Sequence, residues 1–417
     1  MTIYSILGIT AAIALAITLM RFFIARPSNI LLCFLQNFIG VFFIFSSFVK
    51  AVDPLGFSYK LDEYFDVFSD STKQIAWFSS LMLWFKNITL FLATFMIVLE
   101  MALGWMLIFG IWMQLTMWLM LLLILFFTFL TGFSWYTGKI TDCGCFGDAV
   151  HFTNAETFWK DVALTVLILI LFFLRKKIKP VFPRTASNII MVIGVAASIY
   201  LPVYCLNHLP IIDFRPYKIG NNIREEMSIP PGGKATIYKS MLTYKNKTTG
   251  EVKDYPSDNF PWNDSVWVAN WEFVSTKNEL VQQGDKPKIT DFHVWDDNNT
   301  DMTSAVLDDP NYHFWVVAYD MNCADKKSFA KLNELAKEAD KNKIQFVGLT
   351  ATPYEQLDPI RHDLNAAFPF YYADGTVLKT IVRANPGLVL LRGPIPVAMW
   401  HYNDFPTYEQ ISSKYFH

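Results

Sequence analysis

Hydrophobic residues are concentrated in the first half of the chain, where they form six long runs. Each run is long enough, or nearly so, to cross a hydrocarbon core of about 30 Å as a helix. Backbone groups in hydrocarbon must be hydrogen-bonded within their own segment, which favours helices. The runs are Ile3–Met20, Ile30–Val49, Ile88–Gly110, Ile111–Phe133, Phe158–Leu174 and Ala186–Leu206. The pattern predicts a membrane α-helical bundle of about six transmembrane helices, with a tight turn at Gly110.

The second half of the chain is polar, and its apolar residues occur in short runs typical of the strands and helices of a soluble domain. Over residues 210–300, turn signals separate short β-like runs, which predicts a β-rich linker region. From residue 301 the order becomes β-α-β-α-β-α-β-β-α, which predicts a compact α/β sandwich. The predicted strands are His313–Tyr319, Ile344–Leu349, Phe368–Tyr372, Gly387–Leu391 and Val397–His401; the predicted helices are Lys326–Lys341, Pro353–Leu364, Thr376–Val382 and one from Pro406.

The positions of lysine and arginine orient the predicted helices. One cluster lies between the first and second runs, and another lies between the fifth and sixth. Both are cytoplasmic only if the two termini lie outside, so we expect residues 207–417 to lie outside as well. The outer loop contains a Trp-rich stretch, Gln74–Lys86, that is typical of an interfacial helix. The clusters are Arg21 and Arg26, then Arg175, Lys176, Lys177, Lys179 and Arg184.

Composition agrees with this picture. Hydrophobic residues make up 53% and charged residues 17% of the chain, against about 25% charged in a typical soluble domain. A net charge of −2 without a basic stripe gives no basis for binding nucleic acid. The six apolar runs make a lipid bilayer the expected surroundings. The five cysteines are an odd number and too few for a disulfide scaffold. They are Cys33, Cys143, Cys145, Cys205 and Cys323.

The most specific local motif is Cys143-Gly144-Cys145, which follows the fourth run. Two thiols separated by one glycine close a very small, strained ring, and strain makes a disulfide a better oxidant. At the outer membrane face such a pair could pass electrons between a soluble thiol protein and a lipid-soluble acceptor such as a quinone. Two other hypotheses remain: the pair is a structural staple, or it binds a metal together with His151.

Two stretches carry a family resemblance: DCGCFGDAVHFTNAETFWKDVALTVLILILF and FIFSSFVKAVDPLGFSYKLDEYF. Over residues 29–175 the chain resembles the MauE/DoxX family of membrane proteins, in particular its long Bacteroidetes-type members with an added soluble domain. The resemblance implies a four-helix core formed by the second to fifth spans. It also implies a link to thiol-disulfide metabolism or methylamine utilisation, with Cys143 and Cys145 as the redox pair. Together with the predicted orientation, it implies a location in the bacterial inner membrane, with the C-terminal domain in the periplasm.

The C-terminal module resembles the thioredoxin-like fold of the TlpA/peroxiredoxin type. Cys323 follows the first strand where an active member would have CxxC, and Asn385-Pro386-Gly387 matches the loop that holds the fold's cis-proline. With a single cysteine the two-thiol cycle is incomplete. Cys323 could form a mixed disulfide if a helix N-terminus lowers its pKa, or it could be an inert residue in a binding domain.

Buried charge provides one more candidate. Glu100 lies near the middle of the third run, where a charge costs about 2.5–3.5 kcal/mol on insertion scales. It could handle protons for a nearby redox centre, or it could form a structural hydrogen bond with Gln36, Gln114 or Thr116. We expect Lys50 and Asp53 to form an interfacial ion pair.

The sequence thus predicts a membrane thiol-disulfide relay or oxidoreductase that acts through Cys143 and Cys145 on a periplasmic thiol protein or another protein client. Glu100 and Cys323 are additional candidates, no resident metal is expected, and the cofactor is open apart from a quinone. The alternative is a non-enzymatic scaffold that presents a redox-inactive domain to a partner. The predicted divisions are an extra helix at 1–28, the four-helix domain at 29–175, a loop and sixth helix at 176–209, the linker at 210–300 and the thioredoxin-like domain at 301–417.

Overall fold

The computed structural model describes most of the chain. The described residues are 3–25, 27, 29–140, 147–150, 152–229, 232–234, 237–282, 284–285 and 287–416.

Eight helices account for most of the described part of residues 1–209. They are α1 (Ile3–Ala25), α2 (Ile30–Val52), α3 (Pro54–Ser71), α4 (Ala76–Lys86), α5 (Thr89–Phe109), α6 (Met113–Thr137), α7 (Asn154–Leu174) and α8 (Arg184–Asn207). Within the described residues, α1, α2, α5, α6, α7 and α8 are long and apolar enough to cross a membrane. The prediction of six apolar helices is confirmed, and α4 corresponds to the predicted interfacial helix.

The membrane helices pack around a large apolar core. The pairs α2–α5 and α6–α7 form the main contacts, and α1 and α8 pack on the outside against α2 and α5. Two glycines allow α2 and α5 to approach closely: a Cβ on Gly40 would lie 3.0 Å from the Gly104 carbonyl oxygen, and one on Gly104 would lie 2.9 Å from that of Gly40. Small residues at such a crossing favour close van der Waals packing in a bilayer.

Helix α3 was not predicted from the sequence. It begins directly after α2, because the Asp53 carboxylate accepts a hydrogen bond from the Gly56 N–H at 2.9 Å and Pro54 occupies the first helical turn. An aspartate cap followed by proline is a recognised signal for the start of a helix. Helix α3 packs against α4 and α5 and leads from the end of α2 towards the end of α6.

The polar half contains two sheets. The first is antiparallel, in the order β2-β1-β3, and is formed by β1 (Ile237–Asn246), β2 (Val252–Pro256) and β3 (Trp271–Gln282). The short helix α10 (Ser265–Asn270) packs against β3, whereas the short helix α9 (Ile223–Glu226) places Ile223 in the core of the second sheet. This sheet agrees with the β-rich linker expected at 210–300.

The second sheet has six strands in the order β4-β7-β6-β5-β8-β9. Strands β5, β6 and β7 are parallel, and the hairpin β8–β9 adds antiparallel to β5. Side chains alternate along β5, with Trp315 and Val317 in one core and Phe314 and Val316 in the other. The strands are β4 (Val294–Trp295), β5 (Tyr312–Val317), β6 (Gln345–Thr350), β7 (Phe370–Ala373), β8 (Gly387–Arg392) and β9 (Ile395–His401); the helices are α11 (Thr303–Leu307), α12 (Phe329–Lys341), α13 (Tyr354–Asp363), α14 (Gly375–Ile381) and α15 (Tyr408–Tyr415).

The order of strands and helices predicted from residue 312 onward is therefore confirmed, with β4 and α11 as additional elements before it. The predicted helix from Lys326 begins with a 3-10 turn over Lys326–Ser328, and α12 begins at Phe329.

Candidate functional site

Cys143 and Cys145 lie outside the described residues, as does His151. The structure defines what flanks them. Helix α6 ends at Thr137, and Ile140 is fully buried, with its carbonyl accepting hydrogen bonds from Ser134 Oγ at 2.9 Å and Asn154 Nδ2 at 2.7 Å. The segment that carries the two cysteines therefore starts from a position fixed against α6 and α7.

The other flank is the start of α7. Thr153 and Glu156 form a capping box, in which the Thr153 hydroxyl accepts a hydrogen bond from the Glu156 N–H and the Glu156 carboxylate accepts one from the Thr153 N–H. A capping box satisfies two backbone donors that a helix start would leave unpaired. The fifth span consequently begins at Asn154, four residues before the predicted start at Phe158.

A polar cluster lies in the bundle below this segment. Thr131 donates a hydrogen bond to Asp161 Oδ2 at 3.1 Å, and Lys160 Nζ lies 3.0 Å from Asp161 Oδ1. The Lys160 and Asp161 side chains are only 7% and 3% exposed. Charged residues within a span usually face the bundle interior and pair with each other, and two adjacent charges in an apolar run were the signal that could have identified them.

Glu100 forms a buried ion pair with Lys50. Their side chains are 4% and 2% exposed, and Lys50 Nζ also lies over the rings of Phe57 and Phe127, at 5.4 and 4.8 Å from their centroids. Helix α5 therefore presents Glu100 to α2, inside the bundle. Two of the partners considered for Glu100 are engaged elsewhere: Gln36 donates to the Leu107 carbonyl and Thr116 to the Ile111 carbonyl. The third, Gln114, is exposed.

The expected Lys50–Asp53 pair does not form. Lys50 lies within α2 and points into the bundle, whereas Asp53 follows the last turn of α2 and caps α3. A small enclosed cavity of about 10 Å³ extends from Lys50 to Tyr64 and Thr131, which is about the space that one water molecule needs. One member of the ion pair, Lys50, and one member of the polar cluster, Thr131, thus line the same cavity.

The soluble half docks onto the start of α3 through Asp53. Arg383, in the loop after α14, places its Nη2 2.8 Å and its Nε 2.9 Å from the Asp53 carboxylate. Burial tends to raise the pKa of Asp53, but the charge and hydrogen bonds of Arg383 outweigh it and the pKa is lowered. A Cβ at position 56 would meet the Asp53 carboxylate and lie 2.9 Å from Arg383 Nη2, so any side chain there would displace this ion pair.

Two tyrosines extend this contact. The hydroxyls of Tyr59 on α3 and Tyr319 after β5 are 3.5 Å apart, and Lys379 Nζ lies 4.7 and 5.6 Å from the centroids of their rings. Burial raises the pKa of both tyrosines, so both remain neutral. The face of the soluble domain that carries Tyr319 therefore lies against the membrane half.

Cys323 lies on the same face, beside the cis peptide bond between Asn385 and Pro386. Asn385 Nδ2 donates to the Asp320 carbonyl at 2.8 Å, and the Asp325 N–H donates to the Asn385 carbonyl at 2.9 Å. The loop that contains Cys323 is thus hydrogen-bonded to the residue that precedes the cis-proline.

The expectation that a helix N-terminus lowers the pKa of Cys323 is wrong. The 3-10 turn that leads into α12 begins three residues later, at Lys326, and the charge that shifts the pKa of the thiol is the Asp320 carboxylate. The hydrogen bond and negative charge of Asp320 raise the pKa of the exposed Cys323 thiol. A thiol with a raised pKa is a poor nucleophile at neutral pH, because the thiolate is the reactive form.

The remaining described cysteines are buried. Cys33 and Cys205 are 3% and 2% exposed, and both are free, as is Cys323. In the part of the chain that the structure describes, no group of three or more His, Cys, Asp or Glu side chains could hold a metal ion. The hypothesis of a metal site at Cys143, Cys145 and His151 involves residues outside that part.

Comparison with known proteins provides one match. Residues 28–174 match the model of the family described as Methylamine utilisation protein MauE, close to the range 29–175 over which the sequence resembles that family. No curated protein and no solved structure matches the chain. The six apolar helices indicate a membrane protein, and its residues 28–174 are similar to MauE.

Proposed function

We propose that the chain is a membrane thiol-disulfide relay with Cys143 and Cys145 as its redox pair. The observation that carries the proposal is the buried Lys50–Glu100 ion pair in the part of the chain that matches the MauE family. Charges inside a span are costly and are retained mainly where they serve ion, proton or ligand chemistry. Transfer of two electrons from a dithiol to a quinone also transfers two protons, and buried charged groups in the bundle can carry them.

The proposed cycle has two steps. The Cys143–Cys145 disulfide takes two electrons and two protons from a client dithiol, whose two thiols become a disulfide. The resulting Cys143 and Cys145 thiols then give two electrons and two protons to a lipid-soluble quinone, which becomes the quinol, and their disulfide forms again. Attack by a thiolate in the first step requires that a proton be lost before the sulfur–sulfur bond breaks.

The buried charges have a role in this cycle. Lys50 is paired with Glu100 in the bundle, Lys50 and Thr131 both line the small cavity, and Thr131 donates a hydrogen bond to Asp161. Helices α6 and α7, which carry Thr131 and Asp161, also flank the segment with the two cysteines. Protons released at Cys143 and Cys145 reach the bundle along these groups.

The soluble half serves to hold the client. The order of its strands and its cis-proline support a thioredoxin-like domain over 301–417. The positions of the two Lys/Arg clusters support a location of this domain in the periplasm of a bacterium, with the helices in the inner membrane. Its single Cys323, with a raised pKa, gives this domain no thiol cycle of its own. The contacts of Arg383 and Tyr319 with α3 keep its cis-proline face at the membrane surface.

The test is to trap thiols in intact cells with an alkylating mass tag. The wild-type pair should shift between oxidised and reduced forms as a membrane-permeant reductant is supplied and removed, and C143S/C145S should lose this shift. Cys33→Ser is the matched control. Cys33 is buried near the start of α2, at the end of this helix that is far from Lys50, and its replacement should leave the shift intact. A wild-type pair that never oxidises, or that stays oxidised at every reductant level, contradicts the relay.

A second candidate function is a non-enzymatic scaffold that presents the soluble domain to a partner. The observation that favours it is Cys323, a lone exposed thiol with a raised pKa in the position of a redox motif. Under this reading, a partner should be recovered with C143S/C145S as efficiently as with the wild type. Under the relay, recovery of the client depends on the cysteine pair.

A further inference from the structure

A basic pocket opens at the end of the bundle opposite the soluble half. Its volume is about 200 Å³, and it lies between the end of α1, the start of α2 and the loop between α7 and α8. Its polar lining consists of Arg21, Asn29, Gln36, Lys177 and Lys179. The two Lys/Arg clusters recognised in the sequence therefore meet at one place, which neither cluster alone would indicate.

Arg21 is the buried charge of this pocket. It is 8% exposed, and its Nη1 donates to the Ile108 carbonyl at 3.0 Å and approaches Asn37 Oδ1 at 3.3 Å. These contacts cap the C-terminus of α5 and use one side of the guanidinium. Its Nε is buried and has no hydrogen-bond partner among the described residues. A guanidinium donor without a partner is unusual, because leaving a buried donor unpaired costs about 1–3 kcal/mol.

The charge of this pocket is also uncompensated. No aspartate or glutamate occurs in residues 1–52, 101–141 or 162–212, which contain every segment that reaches this end of the bundle. Lys177 and Lys179 are exposed at the rim, so they lack an acidic partner as well. The start of the 23-residue helix α2, capped by Asn29, adds the positive end of a helix dipole. The general excess of lysine in cytoplasmic loops accounts for Lys177 and Lys179 at the rim, but it does not account for a buried arginine such as Arg21.

We propose that this pocket binds a phosphate group, with Arg21 as the buried donor and Lys177 and Lys179 as the rim. Guanidinium groups bind phosphate through paired N–H donors, and lysines contribute point charges. The pocket lies where the headgroup of an anionic phospholipid would lie beside the helices, and its volume fits a glycerophosphate group but not a large cofactor. The proposal is independent of the redox chemistry at the other end of the bundle.

The experiment is native mass spectrometry of the full-length protein released from detergent micelles. One arm adds phosphatidylglycerol, a second adds zwitterionic phosphatidylcholine and a third adds inorganic phosphate. A discrete bound phosphatidylglycerol supports a lipid headgroup site, and binding of inorganic phosphate in its place supports a site for free phosphate. Binding in neither arm, or equal retention of phosphatidylcholine, overturns the proposal.

Variants localise the site. Arg21→Gln should weaken binding about tenfold or more, because it removes a charge-assisted hydrogen bond, and K177Q/K179Q should weaken it about tenfold. The matched control is Lys176→Gln, an exposed lysine of the same loop that does not line the pocket, which should change binding less than about twofold. If Arg21→Gln fails to fold, K177Q/K179Q decides the matter. If K177Q/K179Q binds the phosphate-containing ligand as tightly as the Lys176→Gln control does, the assignment of the site to this pocket is overturned.

Discussion

Arg383 and Asp53 are 330 positions apart in sequence, yet the guanidinium of one lies 2.8 Å from the carboxylate of the other and joins the two halves of the protein. The side chains are 6% and 18% exposed. Asp53 also caps α3, so this carboxylate fixes the helix start and the position of the soluble domain with the same two oxygens. The face that carries Cys323 and the cis-proline is thereby held beside α3.

Removing one partner of this pair should loosen the contact between the halves. Arg383→Gln leaves Asp53 nearly buried without its charge partner, and we expect a loss of about 3 kcal/mol. Hydrogen exchange should increase at the start of α3 and in the loop after α14. The control is Arg224→Gln at the exposed Arg224–Asp308 pair, which should cost less than about 1 kcal/mol. Equal effects of the two substitutions would show that Arg383 does not join the halves.

The Lys50–Glu100 pair allows structural and proton-handling roles to be separated. Lys50→Met alone leaves a buried carboxylate unpaired, so the protein should lose about 3–5 kcal/mol of stability in detergent. K50M/E100L removes both charges and should recover most of that stability. If the pair handles protons, K50M/E100L is stable but the Cys143–Cys145 pair reoxidises at least tenfold more slowly than in the wild type. Normal reoxidation in a stable K50M/E100L protein would make the pair purely structural.

The capping box of α7 should control the segment that carries the redox pair. Thr153→Ala removes the hydroxyl that accepts the Glu156 N–H, and we expect a loss of about 1 kcal/mol. Thr407→Ala removes the same kind of cap from α15 in the soluble domain and is the matched control. Both variants should lower the melting temperature, but Thr153→Ala alone should change the alkylation rate of Cys143 and Cys145. The same alkylation rate in both variants would contradict a link between the cap and the pair.

The free energy of unfolding of the soluble domain should decrease in acid, because His401 is protonated less readily in the folded than in the unfolded chain. Burial lowers the pKa of His401 from 6.5 to about 4, with a further lowering by His208 and an opposing effect of Asp404. The unfolded chain thus binds this proton near pH 6.5 and the folded chain only near pH 4, so stability falls as the pH decreases through that interval. Differential scanning calorimetry should show a smaller acid-induced decrease for His401→Gln than for the wild type. Replacement of the exposed His362 by glutamine should leave the wild-type slope; equal slopes in all three proteins would contradict the role of His401.

Much of the fold could be predicted because its signals are local. Runs of apolar residues defined the six helices, and alternating strand and helix patterns defined the order of elements from residue 312. The signals for α3 and for the start of α7 were also present, as Asp53-Pro54 and as Thr153 three residues before Glu156. They were missed because the surrounding residues are polar and suggested a loop.

The contacts of the site could not be predicted in the same way. Lys50 was paired with Asp53 because the two are close in sequence, but the end of α2 between them turns one side chain into the bundle and the other toward the soluble domain. Their true partners, Glu100 and Arg383, are 50 and 330 positions away. These pairings depend on the packing of α2 on α5 and on the docking of the soluble half. They cannot be recognised from the residues next to Lys50 and Asp53 in sequence.

The central claim is that Cys143 and Cys145 exchange electrons, and a redox titration of the full-length protein in membranes tests it most directly. The fraction of oxidised pair is measured by mass-tag alkylation against a series of defined thiol-disulfide buffers. A relay should titrate as a two-electron couple with a midpoint more positive than about −300 mV, because structural disulfides usually lie below that value. A pair that remains oxidised at about −300 mV and below, or that never forms a disulfide, would contradict the account.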